Sequence, residues 1–394
     1  MKPIIKSIED TDAYYDSLCV VARSFSTIPL AREQYISRDP TFRFPDGFES
    51  ALQEQIESLA DLRMTQDEFD WKREKQPWLP LSYLNWKKDT FRFNPKYVKV
   101  KVRDGVLDLT IEGPVDEICH FETPLLSIIS RLRFTCLLNE EAIKPVDDWK
   151  DRIRRKFDQL FASKVSWIDF GTRRRFSYEI EDAICEIGQN YKPYFRGTAN
   201  PHFAMKYHLG VHGTYPHKYV QMNMAKYGAR MCNERAMFHW QDNFHGRLGI
   251  ALTDTVTTPV FLQSFDHYYA NLFTGVRQDS GNPHEIAEMI IKHYEKLGID
   301  PTTKVIVFSD SLDAGLASTL STKFSSRIKV TCGIGTNLTH DVGRHLPPMK
   351  HVIKAMAFNF GYRWIDVCKL SDTPGKTVGS DECVTHTKYD LGIK

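Results

Sequence analysis

Trp167-Ile168-Asp169-Phe170-Gly171-Thr172-Arg173-Arg174-Arg175-Phe176-Ser177 is the stretch whose reading decides the fold. The apolar run from Val165 to Phe170 has the length of a buried strand, and Gly171 breaks it. Beyond it Phe176, Ile180, Ala183, Ile184 and Ile187 recur at helical spacing, which predicts a helix within 175–191. Three arginines therefore stand where a strand turns into a helix. A helix N-terminus carries partial positive charge and free N–H groups, so it ordinarily attracts acids. Three cations there point to an external anion, phosphate or carboxylate, as the missing partner.

The strand-then-helix unit recurs downstream. Runs of strand length end in small or functional residues at 166–171, 194–200, 211–217, 249–255, 274–281, 304–310 and 329–337. Helical segments fit between several of them, most clearly at 283–297. Seven such units predict a parallel sheet, and that number favours a closed barrel with its site on the carboxyl face.

Upstream, residues 1–138 read as a mixed α/β domain. A helix is expected at 48–59, strands at 96–102 and 106–111 around the Asp104-Gly105 turn, and an apolar helix at 125–132 behind Pro124. The charged segment 139–148 reads as a linker, and a helix at 147–161 leads into the quoted stretch. The barrel is thus expected across 139–350. In the last segment, 351–394, the runs 351–358 and 364–370 pair as a hairpin and are expected to return to the N-terminal domain.

Composition narrows the function. With 394 residues, a net charge of +2 and 42% apolar residues, the chain has no nucleic-acid or membrane footprint. No apolar run reaches membrane-spanning length, and Met1-Lys2-Pro3 opens no signal-like pattern. The eight cysteines lack Cys-x-x-Cys spacing, which argues against structural zinc and for a reducing, cytoplasmic compartment. None of the 14 histidines forms a His-x-His or His-Glu-x-x-His motif, so a metal hydrolase finds little support.

At the strand tips, Arg277 and Asp279 alternate and so share one face. Asp254 and Asp310 stand at matching tips. Carboxylates around a barrel mouth suit ribose hydroxyls, Mg²⁺ carried on substrate phosphates, or a cationic transition state. Gly333-Ile334-Gly335-Thr336-Asn337 offers backbone N–H groups to a phosphate, although glycines near a strand end serve turns equally well. His217 follows Pro216 at another tip, and spacing alone gives it no role. The residues describe a phosphate-binding, sugar-handling site and leave the reaction open.

At these tips the sequence resembles the nicotinate phosphoribosyltransferase family, whose members join nicotinic acid to phosphoribosyl pyrophosphate on the way to NAD. The resemblance runs through Asp10-Thr11-Asp12-Ala13-Tyr14, Pro124-Leu125-Leu126, the quoted stretch, Gly197-Thr198 and Ala251-Leu252-Thr253-Asp254. It continues through Arg277-Gln278-Asp279-Ser280-Gly281, Phe308-Ser309-Asp310-Ser311-Leu312, Gly333-Ile334-Gly335-Thr336 and Lys369-Leu370-Ser371-Asp372. It implies an N-terminal open-faced α/β sandwich, an irregular TIM-like α/β barrel and a homodimer with interface sites. Phe170 is then expected on one face of the nicotinate ring, with Tyr14 from a partner chain on the other. Arg277 would lie by the ring and pyrophosphate, Asp279 by the ribose, and Ser309, Asp310, Gly335 and Thr336 by the 5′-phosphate. Arg173, Thr198 and Asp254 complete the implied substrate set. His217 matches the histidine that the family phosphorylates, which makes ATP a co-substrate, with Mg²⁺ travelling on the phosphates.

The pattern is departed from in places. Tyr15 stands where the family usually has Lys, Ala199 where it has Ser, and Pro216-His217-Lys218-Tyr219 where it reads Ala-His-Glu-Trp. Lys218 thus sets a cation beside the imidazole, where it would also be able to pair with a phosphoryl group. Asp279-Ser280-Gly281-Asn282 is the form carried by the related nicotinamide enzymes. Residues 16–45 resemble neither family. Transfer onto nicotinamide is therefore the second expectation, and a barrel that binds phosphosugars or nucleotides without turnover is the third.

Overall fold

The computed structural model describes residues 2–138, 143–341 and 346–393. In the N-terminal part, β1 (Leu30–Ser37), β2 (Val98–Arg103) and β3 (Val106–Pro114) pair antiparallel. Asp104 and Gly105 both take positive φ, 50° and 72°, the two-residue hairpin turn that this dipeptide favours. Period-two alternation buries Leu107, Leu109 and Ile111 on one face of β3. The helices Phe48–Leu59 and Glu122–Leu137 pack beside this sheet, both where apolar periodicity predicts helix.

The barrel strands are β4 (Trp167–Asp169), β5 (Phe195–Thr198), β6 (Gly210–Val211), β7 (Ile250–Leu252), β8 (Gly275–Gln278), β9 (Val305–Phe308) and β10 (Lys329–Ile334). Their order is β6-β5-β4-β10-β9-β8-β7, with every neighbouring pair parallel. Each strand is shorter than its apolar run because the last residues of the run leave the ladder to form the barrel rim. Among the described residues the barrel does not close, which corrects the closed form expected. Strand β6 pairs for only two residues, and β6 and β7 remain the two edges of a curled sheet. The helices His217–Tyr227 and Cys232–Phe244 occupy the chain between those edges.

After the barrel, β11 (His351–Asn359) and β12 (Trp364–Asp366) form a hairpin, and β11 pairs antiparallel with β1. The N-terminal sheet therefore has the order β12-β11-β1-β3-β2 and stands over the barrel mouth with strands from both ends of the chain. The segment behind β12 then crosses to the barrel, where the Leu370 N–H donates to the Thr255 carbonyl (2.8 Å) and Asp372 accepts from the Thr258 N–H (2.8 Å). Of the expected linker, residues 139–142 lie outside the described residues, and the next helix is Trp149–Ala162. Among the described residues no helix is long and apolar enough to cross a membrane.

Candidate active site

A cavity of about 930 Å³ opens between the carboxyl ends of the barrel strands and the β1/β11 side of the antiparallel sheet. Phe170, the first residue past β4, borders it. Its N–H donates to the Ile334 carbonyl at 2.9 Å, and its ring lies over Gly333, where a Cβ would come within 2.4 Å. The guanidinium of Arg277 stands 5.7 Å from the ring centroid. Aromatic face and cation together suit a flat, anionic ring.

Arg277 is held in a fork. Its Nη2 donates to Asp279 Oδ1 (2.7 Å), its Nε to Ser309 Oγ (2.7 Å) and its Nη1 to Thr214 (3.1 Å). Arg277, Asp279 and Ser309 thus meet at adjacent strand tips, as the alternation of β8 and the pairing of β8 with β9 require. Asp310, Gly335 and Thr336 also line the cavity, and Asp310 is paired with Lys376 (2.7 and 2.8 Å).

His217 is the first residue of its helix and borders the same cavity. Its Nε2 lies 2.8 Å from Asp254 Oδ1 and 3.6 Å from Asp279 Oδ2. Burial, then the nearby Lys369 ammonium, push the imidazole down to about 4 against the pull of Asp254. The ring is therefore neutral at pH 7. Burial also penalises the Asp254 carboxylate, but Lys369 (2.8 Å) and His217 more than offset this and hold it well below the usual carboxylate range.

Two members of the expected substrate set are set back from the cavity wall. The Asp254 carboxylate is fully buried behind His217, with its second oxygen taken by Ser280 (2.6 Å) and Lys369. Thr198 is fully buried, and its hydroxyl donates to Asp169 at 2.8 Å. Ala199, one residue on, borders the cavity instead.

The arginine triplet divides. Arg173 and Arg174 line the cavity, but Arg175 is buried, forking onto Asp10 (2.7 and 2.7 Å) and Glu181 (3.0 Å). The reading of all three as an anion site is corrected to two. The third cation meets two carboxylates of its own chain, one of them from the Asp-Thr-Asp motif. Arg173 bonds to Asp12 (2.9 Å), with Glu122 at 3.3 Å, and its guanidinium sits 5.5 Å from the Tyr14 ring. Burial, Arg173 and Arg38 push Arg174 down to about 10, the signature of a crowded cationic wall. Tyr14 also lines this cavity, packed beside Gly213.

Arg38, Lys354, Lys369 and Lys376 also border the cavity, and of these only Lys369 stands in a motif that the sequence singles out. Lys369 is the first residue of the quoted Lys-Leu-Ser-Asp motif, and Lys376 lies four residues beyond its end. Arg38 and Lys354 come from the ends and middle of the antiparallel strands, where nothing local marks them. Lys218 borders the cavity too, but its ammonium is committed to Glu33 Oε1 and Oε2 (2.7 and 2.6 Å). It is thus unavailable to a phosphoryl group, contrary to expectation. Asn282 is exposed and caps the helix Pro283–Lys296 by accepting from the His284 N–H (3.0 Å), away from the cavity.

His217, Asp254 and Asp279 bring three donor atoms within 4.8 Å of one another. Magnesium prefers oxygen ligands and retains waters, and both Asp254 oxygens are engaged by His217, Ser280 and Lys369. Of the three, only Asp279 would be able to meet a magnesium ion, through Oδ2, since its Oδ1 accepts from Arg277 and Ser309.

Comparison with known proteins agrees with this geometry. Residues 165–393 match the model of the nicotinate phosphoribosyltransferase (NAPRTase) family, and 10–130 match its N-terminal domain. The chain is 35% identical to the nicotinate phosphoribosyltransferase of Chromohalobacter salexigens over 395 residues, covering 99% of each chain. It is 37% identical to that of Proteus mirabilis over 390 residues, covering 96% of this chain and 94% of the relative. Among solved structures, the nicotinate phosphoribosyltransferase of Porphyromonas gingivalis superimposes with a TM-score of 0.94 at 35% identity, covering 99% of this chain and 100% of that one.

Proposed function

The chain belongs to the nicotinate phosphoribosyltransferase family, and from that premise we propose that it transfers the phosphoribosyl group of phosphoribosyl pyrophosphate to nicotinic acid. The products are nicotinate mononucleotide and pyrophosphate, a step of NAD biosynthesis. The observation that carries the reading is the joint placement of Phe170, Arg277 and Asp279 in a cavity also lined by Arg38, Arg173, Arg174 and Lys354.

The ring nitrogen of nicotinate supplies an electron pair to C1′ of the ribose as the C1′–oxygen bond breaks, and pyrophosphate departs with that bond's electrons. Phe170 and Tyr14 sandwich the ring, and Arg277 faces the leaving group. Asp279, held ionised by Arg277 despite burial, stabilises the positive charge that develops at C1′. Ser309, Asp310, Gly335 and Thr336 orient the 5′-phosphate end. Magnesium carried on the substrate neutralises charge on the leaving pyrophosphate.

ATP enters through His217. A proton on Nε2 is fixed by Asp254 at 2.8 Å, which leaves the lone pair on Nδ1. That nitrogen attacks the γ-phosphorus of ATP, ADP departs, and hydrolysis of the phosphohistidine later returns the imidazole. A neutral ring at pH 7 suits this step. A homodimer with its sites at the interface is part of this proposal, and Tyr14 stands on the cavity wall.

Transfer onto nicotinamide retains one argument, Ala199 on the cavity wall. The other, Asn282, lapses because that residue caps a helix outside the cavity. Pyrophosphate release with each base and phosphoribosyl pyrophosphate, with and without ATP, tests the proposal. Faster release with nicotinate and stimulation by ATP are expected. Equal or greater release with nicotinamide overturns the base assignment. Lack of release with either base leaves only a binding barrel.

A further inference from the structure

The helix that carries His217 begins without a side-chain cap, and its second residue, Lys218, brings a cation to the positive end of the helix dipole. Such a residue needs strong compensation, and it has one. Its ammonium is buried and held by both oxygens of Glu33, with Glu122 at 3.4 Å and the Tyr15 ring centroid at 5.3 Å. Burial pulls the Lys218 ammonium toward neutrality, but Glu33 and Glu122 more than offset it.

Glu33 is placed for this contact by its strand. On β1 it shares the buried face with Ala31 and Tyr35, an acid where the alternation calls for an apolar residue. The pairing with β11 slips at this point: Arg32 faces Ala357 and Glu33 faces Ala355. A bulge re-aims side chains and is a common device beside active sites. One turn along the helix, Gln221 Nε2 donates to the Ala355 carbonyl (3.2 Å), so Lys218 and Gln221 grip the same part of the sheet at i, i+3 spacing.

Consecutive helical residues project about 100° apart. His217 therefore reaches the barrel at Asp254 while Lys218 reaches the antiparallel sheet at Glu33. The uncapped turn is clamped from two sides, and its rotation about the helix axis sets where the imidazole points.

We propose that Lys218 and Glu33 are positioning residues for His217. Their interdomain ion pair fixes the first turn of the helix so that the imidazole stays on Asp254, ready to accept a phosphoryl group from a nucleoside triphosphate. The phosphoryl step rests on the function proposed above; the positioning of the ring does not.

The test uses the full-length protein with Lys218→Met, Lys218→Arg, Lys218→Glu, Glu33→Gln and the reversed pair Lys218→Glu/Glu33→Lys. Acid-labile label from γ-labelled ATP and the ratio of ATP-stimulated to ATP-independent turnover are measured. Nitrogen-detected NMR of the His217 ring is recorded in parallel. In Lys218→Met and Glu33→Gln the labelling rate is expected to fall at least ~10-fold. The ring titration should move up from its buried value toward that of a free histidine. Lys218→Arg should retain both properties, and the reversed pair should label faster than Lys218→Glu alone. If Lys218→Met does not fold, Lys218→Arg and the reversed pair carry the comparison. Absence of label in the wild-type protein overturns the phosphohistidine reading alone, and the NMR comparison then decides positioning. Unchanged His217 ring signals in Lys218→Met and Glu33→Gln, or a reversed pair no better than Lys218→Glu, overturn the proposal.

Discussion

The Phe170 ring rests on Gly333 so closely that a methyl group on the glycine would sit 2.4 Å from ring Cδ2. The two residues lie at neighbouring tips of β4 and β10, and the missing side chain sets how far the ring stands out into the cavity. Gly333→Ala is expected to push the ring into the space proposed for the base. KM for nicotinate should then rise at least ~10-fold, about 1.4 kcal/mol, with a smaller change for phosphoribosyl pyrophosphate. Equal increases for both substrates would put Phe170 in a general packing role.

Two arginines, one behind β4 and one on β8, should respond to substitution in opposite ways. Arg175 is buried among Asp10 and Glu181, so Arg175→Met leaves two acids without their cation and is expected to cost about 3–5 kcal/mol of stability. Arg277 borders the cavity, and Arg277→Lys keeps the charge while losing the planar fork onto Asp279 and Ser309. Turnover should fall at least ~10-fold with little change in thermal midpoint. Thermal unfolding and steady-state kinetics on both variants check the pair, and a reversal of the two outcomes would exchange their roles.

This contrast also marks what the sequence could tell. Local pattern was enough for the barrel strands, because each had to present an apolar run, and for the tips, because a parallel sheet gathers them on one face. Pattern was not enough for Arg175, whose partner Asp10 lies 165 positions away and is brought to it only by the docking of the N-terminal segment. β1 was missed because its alternation is broken by Glu33 and Gln34, and the physical reason for that acid, Lys218, sits on a barrel helix. Asp254 was found as a tip residue, but only the three-dimensional arrangement sets it behind His217 rather than in the cavity.

Lys354 gives the site a pH dependence on the alkaline side. Burial pushes its ammonium down to about 8, with Glu122 opposing and Arg173 and Lys369 adding to the shift. With Lys354 placed against the substrate's pyrophosphate, the free enzyme loses one cation from that wall of the cavity as pH rises through 8. KM for phosphoribosyl pyrophosphate is expected to climb between pH 7.5 and 9, whereas Lys354→Gln should start high and stay flat. A wild-type profile that is also flat over this range would remove Lys354 from the pyrophosphate wall.

His217 sets the corresponding test on the acid side. Its folded value of about 4 lies below the ~6.5 of an exposed imidazole, so between these values the unfolded chain holds a proton that the folded chain refuses. Stability therefore falls as pH drops from about 6.5 toward 4, at about 1.4 kcal/mol per pH unit for this one group, and no such cost applies at pH 7. Burial depresses His120, His340 and His351 in the same direction, so the wild-type protein should lose stability steeply in this window. In His217→Gln the protons taken up on unfolding at pH 5, read from the pH dependence of the urea midpoint, should drop by about one. Asp254 and Asp279 do not blur the result, because their carboxyls titrate below this window. An unchanged proton count would mean that the folded imidazole is already protonated at pH 5. The neutral nucleophile proposed for phosphoryl transfer would then be restricted to higher pH.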